Sequence, residues 1–370
     1  MKVLVTGGAG FIGSHLVDRL LAAGDDVRIL DNLDLQVHDG PPGYLARDAE
    51  LVVGDVRDPE QVGKALDGVG CVVHLAAAVG VGQSMYEIAR YTSVNASGAA
   101  VVLEQVATRR DQLSKLVVAS SMSIYGEGLY RCPAEGVEVT PRSRPVAQLE
   151  RRQWDPVCPR CAAPLKPLPT PETKPLQPTS VYAIGKRDHE ELFLAVGTAY
   201  DIPTTALRFF NVYGPRQSLA NPYTGVVAIF ATRLLNGRPP VVFEDGLQTR
   251  DFIHVADIVD GVVAALEPGR ADGEAVNLGT GRATSILSVA ETLAKQLGVD
   301  VDPIVRNVYR AGDIRHCFAD TSRALDALGF TASTSFDAGM RELVDWLAGQ
   351  DALDRVDDAT AALEARGLTH

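Results

Sequence analysis

The sequence predicts an α/β protein, a doubly wound parallel sheet joined to a smaller C-terminal α/β lobe. Short apolar runs, suited to strands buried on both faces, alternate with helical patterns through the first half. The first run, Lys2–Thr6, leads directly into Gly7-Gly8-Ala9-Gly10-Phe11-Ile12-Gly13 and then a helix. Alternation resumes at Ser180, after a Pro- and Arg-rich break at 127–179 that has no clear period. Strands and helices in this order give a parallel sheet covered on both faces.

The opening unit is the most specific. A helical pattern runs through His15, Leu16, Leu20 and Leu21, and Gly24 supplies the stop. Residues 27–30 form a second strand with Asp31 at its tip and Asn32 beside it. This is a Rossmann-type βαβ unit for a dinucleotide. Gly7, Gly10 and Gly13 allow the tight turn, the approach of the pyrophosphate and close helix–strand packing. The helix start at Phe11 and Ile12 offers free N–H groups to the phosphates. Asp31 accepts the ribose hydroxyls of NAD and repels the 2′-phosphate of NADP.

With 370 residues and 46% hydrophobic content, the chain suits one large domain or two closely joined ones. We divide it into 1–180 (cofactor binding, with the insertion 127–179), 181–350 (the remaining sheet elements and the lobe) and a helical tail, 351–370. A net charge of -12 argues against nucleic acid or an acidic membrane surface as partner. No apolar run approaches the ~20 residues of a membrane span. The first strand begins at the N-terminus, leaving no room for a signal peptide. Five cysteines make no disulfide framework, and a cytoplasmic, reducing setting is expected.

Residues 51–53 form the third strand, followed by Asp55 and Val56. Asp55 suits either the adenine amino group or a cap for the helix at 59–66. Residues 71–75 form the fourth strand and run into Ala76, Ala77 and Ala78, small enough for a cofactor to lie against the backbone. A helix at 93–108 carries Asn95, a further candidate for cofactor binding, near its start. The fifth strand, 116–120, ends in Ser121-Met122-Ser123-Ile124-Tyr125-Gly126. In such sheets ligands sit beyond the C-terminal strand ends, where Gly7, Asp31, Asp55, Ala76 and Ser121 converge. Later come a helix from Tyr182 to about Tyr200, a sixth strand at 205–210 leading to Asn211, and a helix at 227–236. A short strand at 240–243, a late strand at 275–279, a late helix at 285–297 and a charged helix at 353–367 complete the chain.

Tyr182 and Lys186 are spaced i,i+4, which puts both on one helical face. An ammonium beside a phenol favours the phenolate and lowers its pKa from ~10. Tyrosine then becomes a general base near neutral pH, while the lysine also reaches the nicotinamide ribose. Ser121 supplies a hydroxyl for the oxygen being deprotonated. An ordinary surface pair is the bland alternative, but here the spacing follows a complete dinucleotide fingerprint and a serine-ended strand.

Taken together, 6–13, 120–126, 182–186, 208–211 and 250–257 resemble the extended short-chain dehydrogenases/reductases, specifically their NAD-dependent nucleotide-sugar epimerases and dehydratases. The resemblance implies that Ser121, Ser123 and Tyr182 meet the sugar and that Lys186 holds the ribose. It also implies that Asn211 and Arg250 bind the substrate diphosphate, and that Val226 onward, 240–243 and Asp313 complete the substrate site. A salt bridge from Arg250 to Asp251 or Asp257 is the plain alternative. The resembling 4,6-dehydratases carry Asp-Glu directly after the serine, where this chain has Met122-Ser123; neither exchanges a proton at neutral pH. Decarboxylation lacks its acid for the same reason, and Asp31 disfavours an NADPH reductase. What remains is 4-epimerisation of a nucleotide-linked sugar.

The insertion is similar to that of bacterial dTDP-L-rhamnose 4-epimerases, so dTDP-L-rhamnose and dTDP-6-deoxy-L-talose are the expected pair. UDP-glucose/galactose or UDP-glucuronate 4-epimerisation is the alternative. A non-enzymatic NAD-binding regulator on the same fold would be expected to lose the Tyr182/Lys186 pair. Within the insertion, Cys158-Pro-Arg-Cys161 has the spacing of a zinc knuckle. Cys132-Pro-Ala-Glu135-Gly136 has the shape of a second, so Cys132, Cys158 and Cys161 are candidate ligands for a structural Zn²⁺. Free thiols or a Cys158–Cys161 disulfide are the alternatives. The resemblance further implies a homodimer built by pairing the helices at 93–108 and 182–200; Leu192, Phe193, Val196 and Ala199 give the second helix an apolar set for such a partner, with burial on its own sheet as the alternative.

Overall fold

The computed structural model describes residues 1–38, 40–223, 225–310, 312–350 and 354–369. Its central sheet is formed by β1 (Lys2–Thr6), β2 (Asp26–Asp31), β3 (Glu50–Val53), β4 (Cys71–His74), β5 (Lys115–Ser121), β6 (Thr204–Phe209) and β7 (Glu274–Leu278). The order is β7-β6-β5-β4-β1-β2-β3, and every pairing is parallel. The chain therefore starts in the middle of the sheet, and the strand order reverses beside β1. Such a switch point opens the crevice in which ligands of these sheets sit.

Strand alternation sends Val3 and Val5 to one face and Leu4 to the other, all fully buried. On the first face pack α1 (Phe11–Ala22), through Leu16, Val17 and Leu20, and α6 (Val255–Ala265), through Ile258, Val259 and Val262. On the second pack α2 (Pro59–Ala65), α3 (Gly98–Ala107) and α4 (Val181–Tyr200). A separate core joins α5 (Val226–Leu235), α7 (Ile286–Leu297) and α8 (Phe336–Leu347), which form the smaller lobe. The tail helix α9 (Val356–Glu364) lies against it, with Asp357 paired to Arg233 on α5.

The expected helix at 93–108 is more elaborate. A helix begins at Ile88–Thr92, passes through a π turn at Ser93–Ser97 and continues as α3. The turn carries the buried Asn95, and such turns gather at functional sites. The strand expected at 240–243 shortens to Val241–Val242, paired with Ile304–Val305.

The insertion does have its own organisation. Strands Glu138–Val139, Leu129–Arg131 and Lys166–Leu168 form an antiparallel sheet over a small core of Tyr130, Cys132, Cys158 and Leu165. It is tied to the lobe by buried charge. Arg144 pairs with Glu244 at 2.8 Å, and Arg315 reaches Glu244 at 3.0 Å and Asp245 at 2.6 Å. Glu127 accepts the Arg315 backbone N–H at 2.8 Å.

Arg208 on β6 is held bidentately by Glu190 on α4, at 2.5 and 2.9 Å, with both side chains buried. Removing the carboxylate alone would strand a guanidinium in the core. Glu190→Ala should therefore cost about 3–5 kcal/mol of stability, read as a lowered urea midpoint; a loss below about 1 kcal/mol, the worth of an exposed pair, would show that solvent reaches Arg208.

Candidate active site

The turn after β1 is built by backbone crowding. Gly7 has φ +70°, and a Cβ there would lie 2.8 Å from the Ala76 nitrogen; a Cβ on Gly13 would overlap the Gly7 carbonyl oxygen. Only glycine lets β1, α1 and the loop after β4 approach so closely. Helix α1 starts after Gly10 with no side-chain cap and no acid in its first turn, so its N–H groups and dipole face the cavity unneutralised. Asp31 is fixed by accepting the Ala9 N–H at 3.0 Å and the Leu33 N–H at 2.9 Å. This cradle fits a dinucleotide pyrophosphate and ribose.

One cavity of about 670 Å³ runs from the cradle across the strand ends into the lobe. It is lined by Gly7, Gly10, Phe11, Ile12, Gly13, Asp31, Asn32, Asp55, Val56 and Ala76–Ala78, and further on by Ser121, Ser123, Tyr182, Lys186, Asn211, Val226, Arg250 and Asp313. Asn95 lies behind this wall. Its carboxamide is used on Ala78, accepting that residue's N–H at 2.8 Å and donating to its carbonyl at 3.1 Å. It therefore shapes the alanine loop from outside the cavity. For Asp55 the capping alternative is excluded. Asp58 caps α2 through the Glu60 and Gln61 N–H groups, while Asp55 pairs with Arg57 at 2.6 Å, which holds its carboxyl below the usual value.

Ser180 caps α4 by accepting the Ala183 N–H, and the first two turns of that helix present Tyr182 and Lys186 together. Lys186 is buried, donates to the Ala119 carbonyl at 2.9 Å and lies 3.5 Å from His189 Nδ1. Desolvation brings its ammonium down to about 7. Burial pushes the Tyr182 phenol up to about 12 against the opposing effect of the Ser121 hydroxyl. The expected lowering of the phenol by the lysine is thus reversed in this structure, because both groups lose water and the ammonium is turned to Ala119. Ser121 Oγ accepts from the Ser123 N–H at 3.2 Å and the Ser123 hydroxyl at 2.9 Å.

In the lobe, Arg250 donates to the carbonyls of Thr249 at 2.8 Å, Ile314 at 2.7 Å and Arg315 at 3.1 Å. Neither alternative carboxylate takes it. Asp251 accepts from Thr280, Gly281 and Ala319, and Asp257 from Ser333 and Thr334. Among the described residues its charge faces only neutral carbonyls. Among the described residues, Asn211 Oδ1, Gln217 Oε1 and Gln248 Oε1 are buried without a donor, and all three residues line the same cavity as Arg250. Asp313 pairs with Arg310 at 2.9 Å, whose guanidinium stacks on Phe243.

Sequence reasoning missed Gln217, Gln248 and Arg310, which sit in loops outside any motif. It also gave no role to the tail, whose Ala359, Thr360 and Leu363 line the cavity. The set expected to face a partner divides: Phe193 is fully buried, stacked on His74 at 5.1 Å, whereas Leu192 and Ala199 are exposed. Cys132, Cys158 and Cys161 come together in the insertion, apart from the cavity lining.

The lysine makes a testable signature. Folded, Lys186 loses its proton near pH 7; unfolded, it keeps it to its ordinary 10.5. Between these values the unfolded chain binds more protons, so stability rises with pH. Urea midpoints at about pH 7 and about pH 9.5 should show this rise in the wild type and a smaller one in Lys186→Met; equal slopes would mean the ammonium stays hydrated in the fold.

The profile of the NAD dependent epimerase/dehydratase family matches residues 3–148 and 160–279. The dTDP-L-rhamnose 4-epimerase of Burkholderia thailandensis is 38% identical over 358 residues, 96% of each chain. The solved UDP-glucose 4-epimerase of Thermotoga maritima, with UDP-glucose, superposes with a TM-score of 0.78 at 32% identity, covering 94% of this chain and 99% of its own. The Thermus thermophilus UDP-glucose 4-epimerase in complex with NAD gives 0.74 at 29% identity, covering 95% and 100%. With its glycine cradle and single long cavity, the chain belongs to the NAD dependent epimerase/dehydratase family and is an enzyme of that kind, with NAD as its cofactor.

Proposed function

We propose that the chain inverts C4 of a nucleotide-linked hexose, with dTDP-L-rhamnose and dTDP-6-deoxy-L-talose as the first pair to test. Arg250 carries the nucleotide-sugar reading. Among the described residues, a half-buried guanidinium hydrogen-bonded only to carbonyls, in a cavity that also holds unpartnered amide oxygens, calls for an anion that also brings hydrogen-bond donors. A nucleoside diphosphate linked to a sugar is such a ligand. The distance from this end to the α1 cradle is spanned by one cavity, so the sugar lies between them, beside Tyr182 and Ser121.

NAD supplies, when bound, the acceptor and then the donor of one hydride at the sugar C4. The Tyr182 phenolate takes the 4-hydroxyl proton and later returns it, while Ser121 hydrogen-bonds the same oxygen. With a phenol pushed to about 12 and an ammonium lowered to about 7, the pair holds one proton above neutral pH. In this structure that proton sits on Tyr182, so the base role requires it to pass to Lys186 once NAD and the sugar fill the cavity. The residues after Ser121 support epimerisation over dehydration. Ser123 is committed to Ser121, and Met122 is buried, so no acid–base pair stands there to remove water. The full Ser121, Tyr182 and Lys186 set weighs against a regulator without activity.

Tyr182→Phe should lower turnover by about 10²–10⁴-fold and leave NAD bound, as judged by cofactor retained after gel filtration. Activity within about tenfold of wild type would remove the phenol from the base role. A panel of dTDP- and UDP-sugars with product analysis tests the substrate: conversion of dTDP-L-rhamnose supports the reading, and conversion of UDP-glucose or UDP-glucuronate alone replaces it.

The exposed Ile88, Ile184 and Leu192 on the helices flanking this face support a homodimer. Light scattering should give twice the chain mass at micromolar concentration, falling toward one chain in Ile184→Glu; a monomeric wild type would rule this out.

A further inference from the structure

We propose that Cys132, Cys158 and Cys161 bind one structural Zn²⁺ that organises the 127–179 insertion. The three sulfurs lie within 4.8 Å of one another, and those of Cys132 and Cys161 are 3.5 Å apart. A disulfide needs about 2.05 Å. The edge of a tetrahedron around Zn²⁺, with Zn–S near 2.3 Å, is about 3.8 Å. The spacing is that of ligands sharing a cation.

The backbone around the sulfurs is built twice in the same way. Cys132 N–H donates to the Val137 carbonyl at 2.9 Å, and Gly136 N–H returns to the Cys132 carbonyl at 2.8 Å. Cys158 N–H donates to Ala163 at 2.8 Å, and Ala162 N–H returns to Cys158 at 2.9 Å. The residues closing the two turns, Gly136 and Ala162, have φ of 69° and 58°. An alanine in that region is unfavourable, so a matching pair of turns indicates a shared purpose.

Cys132 and Cys158 are buried and Cys161 is exposed, giving a site with an entry side. Glu135 stands in the first turn where Cys161 stands in the second. It lies outside the sulfur group and pairs with Arg160 at 3.7 Å. Solvent oxygen therefore completes the tetrahedron, and binding releases the three thiol protons. The need is physical, since among the described residues the core beneath these turns holds only Tyr130, Leu165 and the two buried cysteines, with Val137, Val139 and Ala163 at its edge. So small a core is ordinarily held by a metal or disulfides.

The test is elemental analysis of full-length enzyme purified without chelator or an immobilised-metal step. About one zinc per chain is expected, with Cys132, Cys158 and Cys161 protected from alkylation until a chelator is added. Cys158→Ser/Cys161→Ser should lose the zinc and keep its NAD. Glu135→Cys, which makes the two turns chemically alike, should slow zinc loss to a chelator at least about tenfold. Should the double variant not fold, mass-spectrometric mapping of alkylation on the native enzyme decides alone. Zinc far below one equivalent with the three thiols freely alkylated, a Cys–Cys disulfide, or zinc unchanged in the double variant would each overturn the proposal.

Discussion

Contact of backbone with backbone at the end of β1 is the constraint on which the site rests. Gly7 lies so close to Ala76 that the loop after β4 is fixed by the turn after β1. That loop continues to Ala78, both of whose backbone groups are held by Asn95 in the π turn. Asn95 in turn accepts at its carbonyl from His189 Nε2, at 2.7 Å, and His189 lies on α4 one turn beyond Lys186. Lys186 closes the circuit by donating to Ala119 on β5. Position is thus passed from the glycine cradle to the helix that carries Tyr182 and Lys186 through buried, directional bonds that solvent cannot compete for.

The lobe works by a different principle. Among the described residues, the amide oxygens of Asn211, Gln217 and Gln248 are left unsatisfied and Arg250 has only carbonyls as partners, which would be unfavourable in an inert core. Under the function proposed above, a diphosphate-linked ligand completes the set. The buried Arg144–Glu244–Arg315 network holds the insertion against the same lobe, and Arg144 also donates to the Asp313 carbonyl at 3.0 Å. Disorder in the insertion would therefore reach the cavity wall.

The two titrating groups at the centre show how burial alters a sequence expectation. Two side chains four residues apart on a helix suggest mutual electrostatic stabilisation. In the fold both are desolvated, so the phenol rises and the ammonium falls. The pair remains a proton store, but its charge state depends on what enters the cavity.

Local sequence was enough to place the βαβ unit, the parallel sheet, Tyr182 and Lys186 on one face, and the residues at the strand ends. Those features follow from local periodicity, glycine placement and the rule that parallel strands open their loops on one edge. Tertiary structure alone decided that Asp58 and not Asp55 caps α2, that Asn95 shapes the alanine loop from behind, and that Phe193 turns inward. It alone brought Gln217, Gln248, Arg310 and the tail helix to the cavity, and Cys132 to Cys158 and Cys161. Each of these depends on partners distant in the chain, for which one-dimensional spacing carries no signal, and on burial, which sets which polar groups are satisfied and which are left for a ligand.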